Sequence, residues 1–199
     1  MIEKLASTLT TYMIHKEAVS PEDEEVYVYG WSLLLSTIGS TFSMFLLGTV
    51  TGEFFGTLVY LGFMDTLRPY AGGYHANTYR ACFLLTMASY TIALLFALYW
   101  PMALMDWTLI LLLFSLVVTF LGAPVEHPNK PLNAKSRKRN QKMSRVIILI
   151  QTIIIVSLWF WQPHLQHYLL WAMLGTTLTS VTLLYVLIKP YHKTTKPNE

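Results

Sequence analysis

The chain has 199 residues, of which 54% are hydrophobic and only 13% carry a formal charge. Soluble domains usually carry about 25% charged residues, so this composition excludes an ordinary soluble domain and indicates an integral membrane protein. The single cysteine excludes an internal disulfide, and the modest net charge of +3 gives no reason to expect a nucleic-acid partner.

The first 19 residues predict an amphipathic helix that lies in the membrane interface rather than across it. Its apolar residues recur at helical spacing, at Ile2, Leu5, Leu9, Tyr12 and Met13. The following helix has a clear start signal, because Ser20 is a good N-cap and Pro21 suits the first helical position.

Five further segments approach the roughly 20 apolar residues that a membrane-spanning helix needs. They are Val26–Val50, Ala81–Trp100, Ala103–Leu121, Val146–Trp161 and Leu165–Ile188. A sixth, Glu53–Leu67, is shorter, and we interpret it as a crossing that depends on its neighbours. The prediction is one all-α integral membrane domain over residues 1–199, with about six transmembrane helices and the N-terminal interfacial helix.

The basic residues support six crossings, because Lys and Arg near spans are retained in the cytoplasm. With an internal N-terminus, all 14 Lys and Arg residues fall on the cytoplasmic side. They lie in residues 1–25, in the loop 68–80, in a basic loop over 122–145 and in the tail 189–199. The tryptophans at positions 100, 107, 159, 161 and 171 cluster near the proposed outer ends, as an aromatic belt would.

The stretch from Arg68 to Phe83 contains the residues with the most reactive side chains, His75 and Cys82. Gly72 and Gly73 allow backbone conformations that other residues avoid, and Pro69 is expected to help end the preceding helix. Asn77 or Thr78 can cap the next helix. His75 is therefore expected on a turn, with Cys82 in the first turns of a helix at the cytoplasmic interface.

A histidine near a cysteine permits nucleophilic catalysis, since imidazole can accept the thiol proton and leave a thiolate. The pattern alone also fits a cysteine that packs as a small apolar residue and a histidine that anchors the interface. A metal site is not expected, because one His and one Cys fall short of the four ligands of structural zinc. His127 and His192 could be recruited, but no spacing supports them.

Two further features bear on function. Asp65 and Arg68 are three residues apart and could pair, while Arg68 could instead hold a substrate carboxylate or an oxyanion. The basic run in the 122–145 loop could contact anionic lipid or attract an acidic peptide.

Two motifs resemble the AgrB family of accessory gene regulators. The first is "RPYAGGYHANTYRAC", in which Arg68, Gly72, Gly73, His75 and Cys82 match an Arg, a Gly-Gly-x-His-Ala and a Cys seven residues after the His. The second is "GAPVEHPNKPL", which is similar to the family's Pro-Val-x-x-x-Asn-Lys-Pro loop. The resemblance extends over the full length.

The resemblance implies a cysteine endopeptidase of the bacterial cell membrane, with both termini and the active site on the cytoplasmic side. His75 and Cys82 would be the catalytic pair, with Arg68, Gly72 and Gly73 in support. The substrate would be an AgrD-like propeptide with an amphipathic leader and an acidic tail. It would be cut through an acyl-enzyme thioester and cyclised to a quorum-sensing peptide, and no cofactor would be needed.

Alternatives remain at this point. The chain could be a small peptide exporter or transporter in which His75 and Cys82 are structural, or a family member whose substrate is not a quorum signal. A homodimer would fit the family. Asn77 could orient His75 as a third catalytic residue.

Overall fold

The computed structural model describes residues 2–74, 76, 78–126 and 132–189, with the side chain of Met102 excepted. Within these ranges every regular element is a helix and no strand occurs. The helices are α1 (Ile2–His15), α2 (Glu24–Val50), α3 (Phe54–Ala71), α4 (Tyr79–Tyr99), α5 (Leu109–Gly122), α6 (Ala134–Trp161) and α7 (Gln166–Ile188). The predicted all-α class is confirmed.

Five helical stretches are long and apolar enough to cross a membrane: Pro21–Val50, Tyr79–Tyr99, Ala103–Gly122, Ala134–Trp161 and Pro163–Ile188. They contain α2, α4, α5, α6 and α7. The remaining long helix, α3, is not among them, because Asp65, Arg68 and Pro69 lower its hydropathy. Its 18 residues nevertheless extend about 27 Å, close to the thickness of a bilayer core of about 30 Å.

Helix α3 packs closely against α7. A Cβ atom at Gly175 of α7 would collide with the backbone of Tyr60, and one at Gly56 of α3 would collide with the Trp171 ring. Such close approach of small residues is typical of helix contacts in membranes. Neighbouring helices bury seven of the 18 residues of α3, although Phe55 and Leu58 stay exposed, whereas only 17% of the most apolar window of the α2 span is buried.

Polar contacts bring three of the interhelical turns to one end of the bundle. The Glu53 carboxylate, between α2 and α3, lies 2.9 Å from His167 Nε2 and accepts from Trp171 Nε1 at 3.0 Å, near the start of α7. Asp106, in the helical turn before α5, accepts from Trp159 Nε1 near the end of α6 at 3.2 Å. The α2–α3, α4–α5 and α6–α7 turns therefore share one end.

The opposite end brings together the end of α3, the loop after α5 and the last turns of α7. The Val125 amide donates to the Ala71 carbonyl at 3.0 Å, and the Tyr74 amide donates to the Thr182 carbonyl at 3.1 Å. Because α3 starts just after Glu53 and ends here, it runs the full length of the bundle.

The structure corrects the predicted start of the sixth helix. The sequence placed the whole basic run in a loop over 122–145, whereas α6 begins at Ala134. Asn133 caps it by accepting from the Ser136 amide at 2.8 Å. Lys and Arg are good helix formers, so a basic run at the interface can continue a helix that is apolar further along.

Pro69 was expected to help end α3, but the helix continues through it to Ala71. The chain leaves the helix at Gly72, whose φ of 77° is incompatible with a further helical turn. The predicted boundary at Leu67 is therefore short by one turn.

The predicted aromatic belt is wrong for two of its five tryptophans. Trp159 and Trp171 are buried and donate to carboxylates, so they belong to the core. Trp107 and Trp161 are 65% and 82% exposed, as residues in contact with lipid or its headgroups should be.

The N-terminal helix α1 packs along α2 and buries Ala6 and Thr10. Leu5 and Tyr12 stay exposed, which leaves apolar side chains available to a lipid surface. The predicted start signal of the next helix is also confirmed, because Ser20 accepts from the Glu22 amide at 3.4 Å.

Candidate active site

Gly72 and Gly73 form a turn that requires glycine at both positions. Their φ angles are 77° and 154°, values that residues with a Cβ rarely adopt. Space is also limiting, because a Cβ at Gly72 would collide with the Val125 carbonyl oxygen and one at Gly73 would lie 2.7 Å from Thr182 Oγ1. The turn is therefore tightly enclosed by the loop after α5 and by α7.

The next residue, Tyr74, is held by two helices. Its amide donates to Thr182 of α7 at 3.1 Å, and its carbonyl accepts from Arg68 Nη2 of α3 at 3.1 Å. Its ring packs edge-on against Tyr185, with ring centroids 4.9 Å apart. Residues 72–74 are thus fixed between α3 and α7.

These contacts define what Arg68 does in this structure. Its guanidinium is half-buried and donates to the Tyr74 carbonyl. Asp65 lies nearby, yet among the described residues no ion pair within 4 Å joins the two, so the predicted Asp65–Arg68 pair is absent. Arg68 holds the glycine turn in place and also borders a cavity.

The two motif segments, far apart in sequence, pack against each other. Val125 bonds to Ala71, and Ala71 shares a buried apolar cluster with Leu67, Ala123 and Leu183. The end of α3 and the loop after α5 therefore form one unit at the same end of the bundle.

Cys82 lies in the first turn of α4. Thr78 is the N-cap, with its hydroxyl accepting from the Ala81 amide at 3.2 Å and its carbonyl accepting from the Cys82 amide at 2.9 Å. The predicted cap at Thr78 is confirmed. The thiol is free and half-buried. His75 and Asn77 lie outside the described residues, so a His75–Cys82 pair stays a prediction.

A cavity of about 440 Å³ adjoins the glycine turn. It is bordered by Arg68, Gly72, Gly73, Val125, Glu126 and Asn140, so both motif segments contribute to it. Its volume falls within the range of about 300–1,000 Å³ that is usual for ligand pockets.

Asn140 did not stand out in the sequence, although a signal was present. The buried residues of α6 include Asn140, Ser144, Ile148, Gln151 and Ile155, a spacing that marks one helix face. Asn140 begins that face, but it is surrounded in sequence by Arg and Lys and resembled part of a solvated basic run.

Two cations of the basic run make contacts with the segment around the end of α5, and most of the run is exposed. Glu126 pairs with Arg137 at 3.5 Å, and Arg145 donates to the Phe120 carbonyl at 3.0 Å. The exposed cations of the first turns of α6 are Lys135, Arg137, Lys138, Arg139 and Lys142. They form a positive surface beside the loop after α5.

Metal ligands are not grouped in the part of the chain that the structure describes. No cluster of three His, Cys, Asp or Glu side chains there is arranged to hold a metal ion. His127 and His192 lie outside that part.

The comparisons with known proteins agree with both motifs. The family model described as Accessory gene regulator B matches residues 3–183. A protein of Clostridium perfringens strain SM101, named only for its likeness to AgrB, is 26% identical over 189 residues, which cover 92% of this chain and 87% of the relative. A second protein, from C. perfringens strain 13 and similarly named, is 28% identical over 156 residues, which cover 75% of this chain and 72% of the relative.

A protein of Clostridium beijerinckii named in the same way is 24% identical, with 82% of this chain and 79% of the relative covered. No solved structure matches the chain significantly. Because the family match includes Arg68, the glycine turn, Cys82 and the loop after α5, and extends over most of the sequence, the chain belongs to the accessory gene regulator B family.

Proposed function

We propose that this protein is a membrane cysteine endopeptidase that cleaves an AgrD-like propeptide and promotes its cyclisation to a quorum-sensing peptide. The main supporting observation is the contact between the two motif segments, made by the Val125–Ala71 hydrogen bond and the enclosure of Gly72 by Val125. This contact lies on the segment that leads from Arg68 to the only cysteine of the chain.

The chemistry requires one nucleophile and one base. Cys82 Sγ attacks the scissile carbonyl carbon, while His75 takes the thiol proton and returns it to the leaving amine. The product is a thioester between Cys82 and the N-terminal part of the propeptide. A Cys thiol or Ser hydroxyl of that part then attacks the thioester, closes the ring and releases Cys82.

The thioester intermediate explains why a cysteine suits this reaction. Ring closure from a thioester to a thiolactone exchanges one thioester for another, whereas closure directly from an amide would be unfavourable in free energy. Water must be kept from the intermediate for the ring to form. The half-buried position of Cys82, in the first turn of a membrane helix, limits the access of water to the thiol.

The charge distribution supports a cytoplasmic site in the bacterial cell membrane. Arg68, Arg80, Lys189 and the cations of α6 lie at or beside the bundle end that contains the glycine turn. By the positive-inside rule this end faces the cytoplasm, together with both termini. Anionic lipid is then a natural neighbour of the same surface.

The substrate class fits the surface features around the site. Five exposed cations on the first turns of α6 can attract the acidic tail of the propeptide. The exposed apolar residues of α1 lie in the interface where an amphipathic leader would also bind. The leader and the enzyme would therefore meet on one lipid surface.

Co-expression with a propeptide encoded beside the chain tests the proposal, with cleavage followed by mass spectrometry. We expect the wild type to release the tail and yield a cyclic product, and Cys82→Ala and His75→Ala each to abolish cleavage. Glu53→Gln, at the opposite end of the bundle, is the matched control and should still cut.

The outcomes separate the alternatives. Cleavage that persists in both Cys82→Ala and His75→Ala would show that the catalytic assignment is wrong. A wild type that never cuts the propeptide, but carries it across the membrane, would support the alternative that the protein is a peptide exporter.

A further inference from the structure

The cavity beside the glycine turn contains an unsatisfied buried amide. Asn140 is only 9% exposed and borders the cavity, and its Oδ1 is shielded from solvent without a hydrogen-bond donor among the described residues. An unpaired buried acceptor is unfavourable for folding. An incoming ligand could supply the missing donor after rotation about the Cβ–Cγ bond, a torsion with a broad energy profile.

The charges around the cavity disfavour an acidic ligand group. Two carboxylates, Asp65 and Glu126, face one guanidinium, that of Arg68. Glu126 already pairs with Arg137, and Arg68 already donates to Tyr74. An acidic segment would meet two carboxylates and a cation already engaged, so it belongs outside on the α6 surface.

A peptide main chain matches the remaining features. Each peptide group offers one N–H donor and one carbonyl acceptor, the complement of a side-chain amide. Gly72 and Gly73 add no side chains to the wall, and Pro124, Val125 and Leu132 provide apolar contact for substrate side chains.

The cavity also lies close to the first turn of α4. Tyr79, at the start of α4, lies beside Ser32 of α2, and Thr37 of α2 borders the cavity. Ser32 and Thr37 are five residues apart, which corresponds to about 7.5 Å along a helix. The start of α4 and the cavity therefore both adjoin α2.

We propose that this cavity binds the uncharged main chain of the substrate next to the scissile bond, and that Asn140 Oδ1 accepts a hydrogen bond from one substrate peptide N–H. The inference rests on the proposed function, for which it names a substrate-binding residue. Asn140 would act in binding and not in the chemical step.

The first test compares two variants that each remove an unpaired buried oxygen. Asn140→Leu is nearly isosteric, and Tyr60→Phe removes a fully buried hydroxyl that also lacks a partner but does not border the cavity. We expect both to keep or raise the thermal midpoint in detergent. Only Asn140→Leu should raise KM for the propeptide, by about tenfold with kcat little changed.

The second test locates the bonded N–H. Synthetic, fluorescently labelled peptides spanning the cut site of the cleaved propeptide, each with one N-methylated main-chain amide, are bound to Cys82→Ala protein in detergent. We expect methylation at one position to weaken Kd about tenfold with Asn140 present, and to have no effect when Asn140→Leu is added. This double-mutant cycle isolates a single contact.

The experiments distinguish a failure of the Asn140 proposal from a failure of the proposed peptidase function. A wild type that cleaves the propeptide, with KM unchanged in Asn140→Leu and no coupling at any methylated position, would overturn the role of Asn140 and leave the peptidase intact. A wild type that cleaves no propeptide would overturn both.

Discussion

At position 72, both the backbone conformation and the surrounding space require a glycine. Its φ of 77° disfavours any side chain, and a Cβ there would meet the backbone carbonyl of Val125 rather than the flexible end of a side chain. The carbonyl cannot move easily, because the Val125 amide is bonded to Ala71. A substitution must therefore displace the loop after α5.

We expect Gly72→Ala to reduce cleavage strongly. It should also lower the free energy of unfolding by more than the roughly 1 kcal/mol that an alanine costs in a positive-φ conformation. Gly52→Ala is the matched control, because Gly52 has a φ of 79° but no atom near its would-be Cβ. Thermal midpoints and cleavage rates of the two variants give the comparison. Equal losses in both would mean that contact with Val125 does not matter.

Helix ends divide into those that local sequence determines and those that it does not. The caps at Ser20 and Thr78 could be predicted, because each hydroxyl bonds an amide two or three residues ahead. The start of α6 could not, because a dense basic run suggests a solvated loop although Lys and Arg favour helix. The proposed crossing by α3 rests on the placement of the basic residues, because its hydropathy alone does not mark it as a span.

The cap of α4 should affect catalysis more than stability. Thr78→Ala removes the acceptor of the Ala81 amide and should cost about 1 kcal/mol. Because Cys82 lies in the same turn, fraying moves the thiol, so we expect the cleavage rate to fall several-fold. Thr78→Ser should restore both rate and thermal midpoint.

Ser20→Ala provides the control for cap loss without displacement of Cys82. It removes the cap at the start of the α2 span and should lower the thermal midpoint with little change in rate. If Thr78→Ala and Ser20→Ala lower the rate equally, the α4 cap has no special role in the site.

At the scale of the whole molecule, the candidate site depends on contacts between distant segments. Sequence alone could identify Arg68, the two glycines and Cys82 as a group, because they lie within one short stretch. It could not pair Ala71 with Val125 or Tyr74 with Thr182, since those contacts arise only when α3, α5 and α7 pack. Asn140 was missed for a different reason: it lies at the start of a buried helix face, but the Arg and Lys residues around it suggested a solvated run.

The arrangement of the two bundle ends gives the last prediction. The α2–α3 and α6–α7 turns lie together through Glu53, His167 and Trp171, whereas the basic surface of α6 lies at the other end. In a Cys82→Ala background, single cysteines at Thr51 and Gln162 should react with a membrane-impermeant maleimide in intact cells. A cysteine at Lys138 should react only after lysis, because the proposed topology places the positive end in the cytoplasm. If Gln162→Cys is labelled from outside while Thr51→Cys is protected until lysis, α3 does not cross, and the shared end that the Glu53 contacts define is incorrect.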